Sequence, residues 1–115
     1  MCMKEGVDMT TLKKIYTLDE IRDISFPIFK RYPSIKEAYL FGSYARGEAK
    51  PNSDLDIMLR LNDYNIESLK DELRVEADLA EVFHKGVDTL NEEDAMRIMK
   101  KSIERDGKKI YEQGN

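Results

Sequence analysis

The chain has 115 residues, 41% hydrophobic and 37% charged, with a net charge of −4. That length holds one domain with a core large enough to fold unaided, and that composition excludes an intrinsically disordered chain. The acidic balance disfavours sequence-general binding to a nucleic-acid backbone, the single cysteine, Cys2, excludes an intrachain disulfide or multi-cysteine zinc site, and no apolar run approaches the roughly 20 residues that span a bilayer.

Residues 1–16 show no sustained period and are read as a flexible N-terminal segment, with Lys13–Tyr16 able to lie against the body. They contain no apolar leader, so a cytoplasmic protein is expected, folded as one domain over residues 17–115. Thr17 followed by Glu20 forms a capping box, and Ile21, Ile24 and Ile28 recur at helical spacing, which predicts a helix from Leu18 to Tyr32. Pro27 inside it removes a backbone donor and is expected to bend or split the helix. Lys36–Phe41 is a short apolar run ending at glycine, the first strand. From Asp54 the pattern alternates: Leu55, Ile57, Leu59 and Leu61 take one face and Asp54, Asp56, Met58 and Arg60 the other.

Ile66, Leu69, Leu73, Ala77, Ala80 and Phe83, widened by Leu79 and Val82, make a long stripe at helical spacing. Gly86 stands where a C-terminal cap belongs, and His84 is read as a capping or surface residue. Val87–Leu90 is a strand candidate. Asn91 caps a further helix with Ala95, Ile98, Met99 and Ile103 as its buried face. Gly107 ends that helix, and Lys108–Glu112 is a last strand or a frayed helical turn. Lys100, Lys101, Arg105, Lys108 and Lys109 are interleaved with acids and read as a solvated face. The order implies an α+β fold, a small mixed β-sheet covered by helices.

The stretch "LFGSYARGEAKPNSDLDIML" carries the chemistry. Two aspartates on one strand face repel each other at close range, and holding them there costs stability unless a cation lies between them. Magnesium suits such a pair, because it takes hard oxygen from one or two carboxylates and the rest from water and substrate phosphates. Upstream, Gly42 lets the backbone approach a ligand closely, the turn that follows offers N–H groups to an anion, and the Ser43 hydroxyl can donate to a phosphate oxygen. Gly42-Ser43 and Asp54-x-Asp56 are separated by ten residues and flanked by strand-like runs. With average residue frequencies, chance produces such a match in a chain this long on the order of once in a thousand.

This stretch resembles the signature of the minimal nucleotidyltransferases, small members of the DNA polymerase beta-like superfamily, densely so from Tyr39 to Leu61. The resemblance implies a nucleotidyltransferase fold in which a glycine-serine turn lies beside two metal-binding aspartates and a third acid on a neighbouring strand. Asp88, between a helix-ending glycine and a short strand, is at the position implied for that third acid; an ordinary strand-end aspartate is the alternative. By the same resemblance Asp54 and Asp56 would hold two Mg2+ ions that clamp the phosphates of ATP. Asp88 would share one metal and act as ligand or base, while Gly42 and Ser43 grip the outer phosphates. Arg46 reaches phosphate or forms a structural ion pair that holds the loop.

Larger relatives carry an acceptor-binding domain, and this sequence is expected to borrow one. The resemblance implies a HEPN-type helical toxin as partner, with AMP moved from ATP onto a tyrosine hydroxyl of that toxin by its antitoxin. A binding-only antitoxin and a transferase for a small hydroxylated molecule are the alternatives.

Overall fold

The computed structural model describes residues 14–114, so the expectation for residues 1–13 lies outside the described residues. Helix α1 covers Leu18–Lys30 and starts with the expected reciprocal cap. Glu20 N donates to Thr17 Oγ1 at 3.1 Å, and Thr17 N donates to Glu20 Oε1 at 2.9 Å, a device that contributes about 1 kcal/mol. Pro27 does not split the helix, which runs on to Lys30 and is closed by Arg31, two residues before the expected end. The carbonyl that Pro27 leaves without a donor belongs to Asp23. Both residues are on the exposed side, where water can serve it.

Strand β1 is Ile35–Phe41, followed by a single helical turn, α2 (Gly42–Ala45), and by strand β2 (Leu55–Leu61). Helix α3 (Ile66–Phe83) crosses to strand β3 (Val87–Asn91). Helix α4 (Glu92–Asp106) then leads to strand β4 (Lys108–Glu112). The sheet order is β3-β2-β1-β4. β1 is antiparallel to β2 and β4, whereas β2 and β3 are parallel, joined through α3. The sheet is therefore mixed, as the α+β reading requires, and Lys108–Glu112 is a strand.

Leu55, Ile57, Leu59 and Leu61 face a core shared with α1 and α3, built around Phe29, Leu79 and Phe83. Tyr16 joins it: its ring meets Phe83 edge-on at 4.9 Å, and its hydroxyl donates to the Phe83 carbonyl at 3.0 Å. On the opposite face, α4 covers Phe41 and Met58 with Ala95 and Ile103, a second and smaller core.

Two helix faces differ from the expectation. α3 buries Ser68, Val75, Leu79 and Phe83, while Ile66 and Leu73 are each 67% exposed and Leu69 and Ala77 also lie outside. The inward face carries polar work that a hydrophobic count misses. Thr89 on the edge strand β3 donates its backbone N–H and its hydroxyl to Glu76, at 2.9 and 3.0 Å, and an edge donor left unpaired is costly. In α4 the backbone leaves helical geometry at Met99 (φ −133°, ψ 28°), which breaks the 3.6-residue period, and Ile98 is 62% exposed rather than buried. Replacing Leu79 by Ala is expected to destabilise the fold by about 2–5 kcal/mol, and Leu73→Gln by less than about 0.5 kcal/mol. Urea unfolding of the two variants checks this, and equal losses would contradict the assigned face.

Candidate active site

The site begins where β1 stops. Gly42 has φ +73°, a left-handed conformation that side chains resist, and a Cβ there would collide with Oδ2 of Asp56. The glycine thus serves both the turn and the close approach of a carboxylate. The turn that follows has only four residues and ends on Arg46, whose N–H donates to the Gly42 carbonyl at 3.2 Å. An anion would be met here by local N–H groups and Ser43, because a single turn has little macrodipole.

Asp56 is opposite Phe41 in the antiparallel pair β1–β2 and opposite Asp88 in the parallel pair β2–β3. That register sets the two carboxylates side by side beneath the Gly42-Ser43 turn. Together with Gly42, Ser43 and Arg46 they line a cavity of about 620 Å³, closed on its other side by Leu90, Met99 and Ser102. Five of the six residues singled out in the sequence therefore share one cavity. Asp54 does not line it. It is exposed at the threshold of β2, and its carboxylate rests against the backbone of Gly86.

Burial, then the negative charges of Asp88 and Asp54, push the Asp56 carboxyl up to about 6, while Arg46 opposes the shift. The site is thus short of positive charge. Among the described residues no three acid, histidine or cysteine side chains converge as a preformed metal cluster. The donor set nevertheless fits magnesium, which needs only one or two carboxylates when substrate phosphates and water complete its shell. Asp56 and Asp88 supply that pair, with Asp54 close enough to raise Asp56.

Arg46 forms the loop ion pair, its Nε donating to Glu48 Oε1 at 3.0 Å, and the residue also lines the cavity. His84, not Gly86, caps α3, in the left-handed region (φ 56°) with its N–H on the Ala80 carbonyl. Sequence reasoning missed Thr89, Leu90, Met99 and Ser102 as cavity walls. Met99 and Ser102 enter it at the α4 kink, for which no sequence signal was available.

A mixed sheet that presents paired acids under a glycine-serine turn is the architecture of nucleotidyl transfer. The chain belongs to the family described as polymerase beta, nucleotidyltransferase, whose family model matches residues 26–115. It is 36% identical to MJ0435 of Methanocaldococcus jannaschii, provisionally named a protein adenylyltransferase, over 75% of this chain and 89% of that one. It is 29% identical to the protein adenylyltransferase MntA of Aphanizomenon flos-aquae, over 87% of this chain and 72% of MntA. Among solved structures it resembles a chain from the complex of the tri-AMPylated Shewanella oneidensis HEPN toxin with its MNT antitoxin. The TM-score is 0.61 at 18% identity, over 84% of this chain and 74% of the other. At that identity the likeness carries the fold alone.

Proposed function

We propose that this protein is a magnesium-dependent adenylyltransferase that moves AMP from ATP onto a tyrosine hydroxyl of a HEPN-type toxin and so acts as its antitoxin. The observation that carries this reading is the register of Asp56 with Asp88 directly below the Gly42-Ser43 turn. The relatives' names favour a protein acceptor, and the resembling complex favours a HEPN partner. Residues 17–115, with Tyr16 packed into their core, form the catalytic unit, working in the cytoplasm; among the described residues no helix is long and apolar enough to cross a membrane.

Gly42 and Ser43 hold the outer phosphates, so that the α-phosphorus lies over the acids. Asp54, Asp56 and Asp88 would hold the magnesium ions, whose charge, when bound, favours both the entering and the leaving oxygen. The acceptor oxygen bonds to the α-phosphorus as the bond to the β-phosphate oxygen breaks, and pyrophosphate leaves. Asp88, the more exposed of the cavity's two acids, would share a metal or take the hydroxyl proton. Leu90 and Met99 give the cavity an apolar wall suited to a base.

The test is direct. The protein is incubated with magnesium and the product of the adjacent reading frame, once with ATP labelled on the α-phosphate and once with ATP labelled on the γ-phosphate. Label is expected on the neighbour from the α-position only, and is expected to disappear on chelation. Transfer from the γ-position, or no transfer by folded protein, would overturn the reading.

A further inference from the structure

We infer that Lys85 and Gly86 are positioning residues for Asp54: the ammonium of Lys85 pins the loop that leads into Asp54, and the bare Cα of Gly86 is the surface on which its carboxylate rests. This rests on the metal-binding role proposed for Asp54 above.

Asp54 is exposed and stands just outside β2, so the strand alone does not fix its side chain. Two contacts from the α3–β3 turn do. Lys85 Nζ donates to the Pro51 carbonyl at 3.0 Å and to the Ser53 carbonyl at 3.4 Å. The same ammonium lies 5.5 Å from the ring centre of Tyr44 and 5.9 Å from that of Tyr16, where the aromatic faces attract a cation. Tyr44 follows Ser43 directly. One lysine therefore ties the approach to Asp54 to the phosphate-holding turn, and among the described residues it makes no ion pair with a carboxylate.

Gly86 adds the second constraint. Its carbonyl accepts from Leu55 N at 3.0 Å, locking the starts of β2 and β3 together. A Cβ built on Gly86 would stand 2.5 Å from Oδ1 of Asp54 and 2.8 Å from its Cγ. The backbone there does not need a glycine, since the left-handed residue of this turn is His84. What the position requires is space. Gly42 meets Asp56 in the same way, whereas Gly47 and Gly114 have positive φ and open space where a Cβ would stand. The two glycines with no room because of a carboxylate are thus paired with the two aspartates of the Asp54-x-Asp56 motif.

The test reads metal binding rather than turnover, using Mn2+ followed by its electron paramagnetic resonance signal. Gly86→Ala and Lys85→Met are each expected to weaken Mn2+ binding about tenfold, with far-UV circular dichroism unchanged. Lys85→Arg, which keeps a cation able to donate to both carbonyls, is expected to restore it. If Gly86→Ala does not fold, Lys85→Met with its arginine counterpart carries the comparison. Wild-type affinity in a folded Gly86→Ala or in Lys85→Met overturns the positioning role and leaves the metal reading standing. If the wild-type protein binds no Mn2+, either alone or together with a non-hydrolysable ATP analogue, the metal reading falls and this inference with it.

Discussion

Replacing Asp56 by Asn is expected to abolish the proposed AMP transfer, by at least about a thousandfold, while making the metal-free protein more stable at neutral pH. Both effects come from one cause. Asp56 is half-buried beside Asp88 and near Asp54, which lifts its carboxyl from an ordinary 3.8 to about 6 in the folded protein. Between those values the folded state holds the proton more tightly than the unfolded chain. Stability therefore falls as pH rises through that window, and the whole deficit is present above about 6. The shift alone converts to about 3 kcal/mol, and solvent screening of a half-exposed group reduces it to about 1–2 kcal/mol. Asn removes the charge and so removes the deficit, raising the melting temperature by roughly 5 °C at pH 7.5 and by nothing at pH 3. Thermal melts of both proteins across pH, without metal, check the sign. Magnesium should raise the wild-type melting temperature and leave the variant nearly unmoved. An antitoxin that worked by occlusion alone would still neutralise its partner after this change, which separates that alternative from transfer.

Gly42→Ala is expected to cost about 2–3 kcal/mol of stability and nearly all transfer, whereas Gly47→Ala is expected to cost about 1 kcal/mol and leave transfer intact. The pair is informative because the backbones match: φ is +73° at Gly42 and +71° at Gly47. Conformational strain is therefore common to both. Only at Gly42 does the added methyl meet Asp56, colliding with Oδ2 and standing 3.1 Å from Cγ, whereas at Gly47 nothing is within 4 Å. The excess loss at Gly42 thus reports displacement of the carboxylate. Denaturant unfolding and labelled-ATP transfer on both variants give the two readouts. Equal transfer by the two would mean that Asp56 is not held by this contact.

Most of the fold was legible where a single physical requirement dominates. The alternation from Leu55 to Leu61 separates core from site because one face of β2 is packed by α1 and α3. The Thr17–Glu20 cap marks a helix start because orphan N–H groups need acceptors. Part of the candidate site was legible for a similar reason: close approach and charge single out Gly42, Ser43 and the Asp54-x-Asp56 pair, the resemblance to the minimal nucleotidyltransferases adds Asp88, and β1, β2 and β3 bring all of these but Asp54 to one cavity. The misreadings arise where two requirements compete. α3 turns Ser68, Val75, Leu79 and Phe83 to the core and leaves Ile66 and Leu73 exposed, against their hydrophobicity, while its half-buried Glu76 serves Thr89. Gly86 has the spacing of a helix cap, yet His84 takes the cap and the glycine makes room for Asp54. The kink at Met99, which brings Met99 and Ser102 to the cavity wall, has neither a proline nor a glycine to announce it.

The bond from Thr89 to Glu76 reaches beyond local satisfaction. β3 is the outer strand on the side of the sheet that holds Asp88, and the N–H in its middle is already occupied by a carboxylate of its own chain. An extended peptide arriving at that border finds this donor taken and a negative charge in its path, so filament-like growth of the sheet is blocked beside the chemistry. A fifth strand is thus disfavoured at this border, and the sheet's other border, β4, lies two strands away from β2.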